Sequence, residues 1–406
     1  ERITLPEELP EPDPNDPIVQ HLLDGIHRAL GISYYKTSLP PHILAEPVPA
    51  EDAAFWDELY TLGLGEFFYQ NRIDPRGRIA FPAGGEPAAP VICPPGEERV
   101  LVLAGGGKDS AVAREVVRHA GVPADALTLG ESDWIRQSVR AMGLNHRIIH
   151  RTIDPTLFEL NRRGALNGHV PISACIAFIA TLVAYVGNYT AVIAANERSA
   201  NEANLQWNGQ SINHQWSKSL AFEAAFQDWC ARRMRNGPVY FSLLRPLSEL
   251  HITEAFARHS DYFDHFTSCN ANFRIRPNQP AARWCGQCPK CVFVQLALAP
   301  HLTEADVNRI FGHDFIADAD NLHLVQSLCG LNGTKPFECV GTAGESRAAL
   351  GRLHRDGRLA EPVRTWCSEH IRHAGEDWRT AMTLEASHRM PAPWQERLHA
   401  YLQPLP

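Results

Sequence analysis

Three groups of residues in this chain have the types and the spacing for chemistry. The first is Gly105-Gly106-Gly107-Lys108-Asp109-Ser110, which follows the apolar run Val100-Leu-Val-Leu-Ala104 and opens a helical pattern closed by Gly121. Successive glycines let backbone N–H groups approach an anion with no Cβ in the way. A helix starting there adds its unpaired amides and the positive end of its dipole. Residues Ala104 to Ser110 are therefore expected to cradle the phosphates of a nucleotide. The second group is Cys269, followed after fifteen residues by Cys285-Gly-Gln-Cys288-Pro-Lys-Cys291. Four thiolates suit tetrahedral zinc with no open position, which is a structural metal; an iron–sulfur cluster is the rival. The third group is dispersed. Asn196-Glu197-Arg198-Ser199 follows an apolar strand pattern directly, where polar loop residues often serve a site. His214 and Lys218 stand four apart, so a helix would point both the same way. Glu338-Cys339 precedes a glycine and a helix N-cap, where the dipole favours thiolate.

Other phosphate loops do not fit. A Walker A loop needs Ser or Thr directly after its Lys, and Asp109 stands there; the first glycine of that pattern would fall on Val102. A dinucleotide fingerprint needs glycine where Ser110 sits. The stretch resembles the PP-loop of the ATP pyrophosphatases, Ser-Gly-Gly-x-Asp-Ser, with Gly105 in place of the first Ser. That departure removes one hydroxyl donor. The resemblance implies cleavage of ATP between its α and β phosphates; six residues alone also fit a plain glycine turn.

The elements needed to position these groups can be read from the pattern. Val100–Ala104, Asp125–Leu129, Arg147–His150 and Thr190–Ala194 read as strands. A helix after the glycine loop, another over Asp133–Met142 and a buried one over Pro171–Val186 alternate with them. Repeated βα units predict an α/β fold with a parallel sheet and ligands at the carboxyl ends of its strands. The expected division is a small α+β N-terminal cap over residues 1–97, a PP-loop-type domain with the cysteine insertion over 98–300, and a mostly helical region over 301–406. In the first of these, 73–79 looks like a turn between two short strands. In the last, Thr342 and Glu345 form a capping box opening a helix to Arg355.

The chain has 406 residues, 44% of them hydrophobic, and a net charge of −8, so no basic field invites nucleic acid or an anionic membrane. No apolar run reaches membrane-spanning length, and the first residues show no signal-peptide pattern. Ten cysteines with three inside seven residues favour metal binding in a reducing cytoplasm over disulfides.

Taken together, Gly-Gly-Gly-Lys-Asp-Ser, Asn-Glu-Arg-Ser-Ala-Asn, Asn-His-Gln-Trp-Ser-Lys-Ser, Trp-Cys-Gly-x-Cys-x-Lys-Cys and Lys-Pro-Phe-Glu-Cys-Val-Gly-Thr resemble one family. It is the MurL family of UDP-N-acetylmuramoyl-L-alanyl-L-glutamate epimerases, within the PP-loop superfamily. The resemblance implies ATP-dependent inversion of the terminal L-glutamate through an acyl-adenylate, releasing AMP and pyrophosphate from a sugar-nucleotide peptide. Mg²⁺ would bridge the leaving phosphates, Asp109 would orient loop or metal, and Glu197 and Ser199 would join the nucleotide site. Lys108 or Lys218 would neutralise charge, while Cys339, His214 and Glu338, in that order, are the acid/base candidates. Arg274, Arg276 and Arg283, between the metal ligands, are either a grip for the substrate's diphosphate or plain surface. The cysteine block also resembles the zinc knot of 7-cyano-7-deazaguanine synthases, which leaves a ligase of that type, or a nucleotide-binding module without turnover, as the competing readings.

Overall fold

Short apolar runs that are buried on both sides form the centre of the molecule. The computed structural model describes residues 1–94, 96–273, 282–331, 335–372 and 374–403. Its main sheet has six strands: β1 (Arg2–Thr4), β2 (Val100–Leu103), β3 (Ala124–Leu129), β4 (Asn145–Thr152), β5 (Ala191–Ala194) and β6 (Val239–Ser242). Their spatial order is β1-β4-β3-β2-β5-β6; β1 runs antiparallel to β4 and every other pairing is parallel. The chain thus builds β2, β3 and β4 outward in one direction, then returns to the other side of β2 for β5 and β6. The crevice between β2 and β5 is where such a sheet presents its ligand site.

The helices that frame the sheet and its crevice are α1 (Pro17–Ser38), α2 (Ala50–Gly63), α3 (Gly65–Gln70), α4 (Lys108–His119), α5 (Ile172–Val186), α6 (Leu220–Arg233), α7 (Glu249–Ala257), α8 (Pro289–Leu298) and α9 (Ala343–Arg355). In β2, Leu101 faces one core with α1, α2, α5 and α6, while Val100 and Val102 face the other with α4, α7, α8 and α9. Both faces covered is why β2 reads as an unbroken apolar run. The first core is aromatic: Trp56, Phe178, Phe226 and Trp229 interlock there by stacked and edge-on contacts. Gly25 of α1 is pressed onto it, since a Cβ at that position would lie 2.7 Å from Phe178 and 2.8 Å from Trp229.

The expected strands and helices of the central unit are present with small shifts in their ends. The capping box of Thr342 and Glu345 forms as expected. Beyond residue 300 the described residues are mostly helical. Three local expectations change. The turn inside 73–79 exists, with Arg78 N–H donating to Pro75 O, but no strands flank it. His214 and Lys218 do not share an α-helix; a hairpin, Leu205–Trp207 with Gln210–Ile212, leads into a short 3-10 turn over Trp216–Lys218. The sheet also gains β1 and β6, three and four residues long. No helix among the described residues is long and apolar enough to cross a membrane.

Candidate active site

The glycine loop sits where the end of β2 meets the start of α4. Gly106 takes a φ of +81°, a left-handed conformation open to glycine, and its carbonyl accepts the N–H of Thr267 at 3.0 Å. Gly107 packs so closely that a Cβ would stand 3.1 Å from Ser268 Oγ, whereas one at Gly105 would meet nothing within 4 Å among the described residues. Ser110 Oγ closes the turn by donating to Gly107 O at 3.0 Å. Gly107 is the N-cap of α4 and provides no side-chain cap, which leaves opening amides for an anion.

A cavity of about 430 Å³ lies against this loop at the carboxyl ends of the strands. Ala104, Gly105, Gly107, Asp109 and Ser110 form one wall; Ser173, Asn196, Thr267, Ser268, Asn270, Lys218, Lys290 and Cys339 are among the others. Segments distant in sequence thus meet at the predicted loop. Lys108 points elsewhere. It is fully buried, its ammonium held between the carboxylates of Asp109 and Glu249. Burial opposes that charge, but the two carboxylates hold the ammonium above its ordinary range. Burial, and then neighbouring Asp109, push the Glu249 carboxyl above its ordinary range against the pull of Lys108.

At Cys339 the electrostatics favour thiolate. Lys218 Nζ lies 3.1 Å from its sulfur, and His214 neighbours it. Burial raises a thiol, yet the Lys218 ammonium, the neighbouring His214 and Lys290 bring Cys339 down to about 6. His214 is raised to about 9: burial works against its charge and is overcome by Cys339 and by Glu66, which engages its Nδ1. Although no helix joins them, His214 and Lys218 both reach Cys339, because the 3-10 turn folds their segment over it.

The four cysteines also meet. The sulfurs of Cys269, Cys285, Cys288 and Cys291 lie within 4.8 Å of one another, with Cys285 and Cys291 3.8 Å apart. Thiolates around one tetrahedral zinc, at about 2.3 Å each, stand about 3.8 Å from their neighbours, so the cluster fits a single ion. Lys290, between two of these cysteines, enters the cavity, donates to the Cys339 carbonyl and lies 3.9 Å from Glu249. Glu338 accepts the backbone N–H of Lys290 at 3.1 Å and so caps the first turn of α8. Burial raises the Glu338 carboxyl.

The remaining candidates fall around the cavity. Glu197 is buried beside Lys218 and accepts a hydrogen bond from Ser199 Oγ at 3.1 Å; of that loop it is Asn196 that lines the cavity. Arg283 donates to the carbonyls of Phe263 and Phe266, so its guanidinium holds backbone. Arg274 and Arg276 lie outside the described residues. Sequence reasoning missed Glu66, Glu249 and Lys290. Lys290 sits inside the cysteine motif and was legible there as a possible site residue; the two glutamates lie in ordinary helical patterns with no local signal.

Comparison with known proteins bears on the whole chain. Residues 1–243 match the family model described as the MurL N-terminal domain, and residues 265–382 that of the MurL C-terminal domain. A protein of Xanthomonas oryzae pv. oryzae named UDP-N-acetyl-alpha-D-muramoyl-L-alanyl-L-glutamate epimerase is 39% identical over 393 residues, 95% of this chain and 87% of its own length. A protein of the same name from Salinispora tropica is 40% identical over 390 residues, covering 94% and 84%. One from a Micromonospora species is 38% identical over 410 residues, covering 98% and 90%.

Proposed function

This chain belongs to the MurL epimerase family, and on that premise we propose that it inverts the terminal L-glutamate of UDP-N-acetylmuramoyl-L-alanyl-L-glutamate, cleaving ATP to AMP and pyrophosphate. The observation that carries the mechanism is one cavity holding both an uncapped glycine loop and Cys339, with Lys218 3.1 Å from its sulfur.

An ionised carboxylate makes the adjacent Cα–H very hard to remove, because the enolate would gather further negative charge. In the proposed first step an oxygen of that carboxylate attacks the α-phosphorus of ATP. The bond to the oxygen bridging α and β phosphates breaks, and pyrophosphate leaves on the amides of residues 105–110. The resulting anhydride carries no carboxylate charge, and its carbonyl is a good electron sink. The Cys339 thiolate then accepts the α-proton while the C–H electron pair moves into the carbonyl. Lys218 and Lys290 stabilise negative charge developing nearby. Return of a proton from solvent on the face turned away from Cys339 inverts the centre, Cys339 gives its proton up to solvent, and water attacks the anhydride carbonyl to release AMP. Magnesium bound with ATP would draw charge from the leaving pyrophosphate, and the partly exposed carboxylate of Asp109 at the cavity wall is the residue that would hold it. The four cysteines would hold zinc as a structural ion that keeps Lys290 in place.

The test is incubation in deuterium oxide with the L-glutamate substrate, ATP and Mg²⁺, following AMP and the α-position of the terminal glutamate. Deuterium at that carbon with D-glutamate and AMP in the product is expected. AMP without exchange would overturn the epimerase reading in favour of a ligase, and intact ATP would remove the adenylate route.

A further inference from the structure

The N-terminal region reaches the site through α3, whose Tyr69 packs on Phe337 and whose Glu66 meets His214. Glu66, on the short helix α3, places Oε2 on Nδ1 of His214 and 3.4 Å from Nδ1 of His169; the two imidazoles stand 4.6 Å apart by ring centres. With Nδ1 occupied, the other ring nitrogen is the one left for Cys339. The backbone is braced to match. Asn204 accepts the N–H of His214 at 2.8 Å and donates to Pro336 O at 2.8 Å, which ties the His214 turn to the segment carrying Cys339. Lys36 of α1 donates to Asn167 Oδ1 at 2.9 Å and Gly168 O at 2.6 Å, which fixes the loop bearing His169.

We propose that Glu66 is a positioning residue: its carboxylate holds His214 against Cys339 and sets how the pair divides its proton. The inference rests on Cys339 being the working base. Nucleophile or base, imidazole and orienting carboxylate form a chain in which the last member acts only through the middle one. The charged and titratable groups facing the pair are Glu66, His169, Lys218 and Lys290, with Lys36 behind His169 and Asp109 and Glu197 behind Lys218. His169 is held neutral, lowered to about 3 by burial, then by His214, Lys36 and Lys218, so it adds no second positive charge. Glu66, His169 and His214 also have the types of a metal triad. The direct hydrogen bond between Glu66 and His214 favours the positioning role.

The experiment is the pH dependence of Cys339 alkylation by iodoacetamide in the full chain, quantified on its own peptide by mass spectrometry. The unmodified protein should show a midpoint near pH 6. Glu66→Gln should move it up by about one pH unit or more, and Glu66→Asp should recover part of the shift. The acid limb of kcat/KM should move in parallel. An unmoved midpoint in Glu66→Gln, with melting temperature unchanged, overturns the proposal. So does a midpoint that follows chelator and added metal in the unmodified protein, which would make the three side chains a metal site. Alkylation needs no substrate, so failure of the protein to epimerise would count against the function and an unmoved midpoint against Glu66 alone.

Discussion

A thiol has an ordinary pKa of 9.0, and at position 339 burial would raise it further; the reversal to about 6 comes from Lys218, His214 and Lys290 together. The thiolate form of Cys339 persists above about pH 6, and the charged form of His214 below about pH 9. Epimerisation should therefore fall as pH drops through about 6 and again as it rises through about 9, read as a bell in kcat/KM. Cys339→Ala should lower kcat by roughly 10²–10⁴-fold while ATP–pyrophosphate exchange continues, since the proposed phosphate loop does not include the thiol. The loop has its own test. At φ +81° Gly106→Ala strains the backbone and should weaken ATP binding, measured by calorimetry. Gly105→Ser meets open space and should bind ATP at least as well as the unmodified protein.

Between elements, the cysteine cluster and the cavity at the glycine loop are one mechanical unit. The arm that supplies Cys269 also hydrogen-bonds the glycine loop through Thr267, and the turn between Cys288 and Cys291 delivers Lys290. Glu345 joins the other side. It completes the capping box of α9 and accepts the backbone N–H of Glu249 at 2.6 Å, so the helix after Cys339 is fastened to α7. One zinc per chain is expected by elemental analysis. Its removal by a chelator should lower the melting temperature and abolish pyrophosphate exchange together, because Lys290 and the Thr267 contact are lost in the same event. An intact exchange activity in metal-free protein would show the cluster to be mechanically separate from the loop.

Across the whole molecule, residues before the glycine loop are part of the structure that makes the site. β1 extends the main sheet, α1 covers α5, α2 packs on α6 and sets Trp56 against Phe178, and α3 brings Glu66 to His214. Phe178 and Trp229 are fully or almost fully buried beneath that layer, each worth about 2–3 kcal/mol of burial. A chain starting at residue 98 should therefore aggregate or melt without a cooperative transition, as checked by gel filtration and circular dichroism. A soluble, cooperatively melting truncation would mean that α5 and α6 can bury those aromatics unaided.

The sequence by itself determined what depends on neighbours along the chain. The loop at 105–110 needs consecutive glycines between an apolar strand and a helix, the cysteine turn needs its x2 spacing, and the Thr342 cap needs Glu345 three residues on. Each of these patterns is local, because hydrogen bonds and chain geometry act over a few residues. Tertiary structure alone decided that Lys108 turns inward to Glu249, 141 residues away, and that Lys218 faces Cys339, 121 residues away. It also placed Glu66 on His214, 148 residues distant. Coulombic and hydrogen-bond energies fall with distance in space and carry no trace of separation along the chain, so no spacing rule exposes such partners.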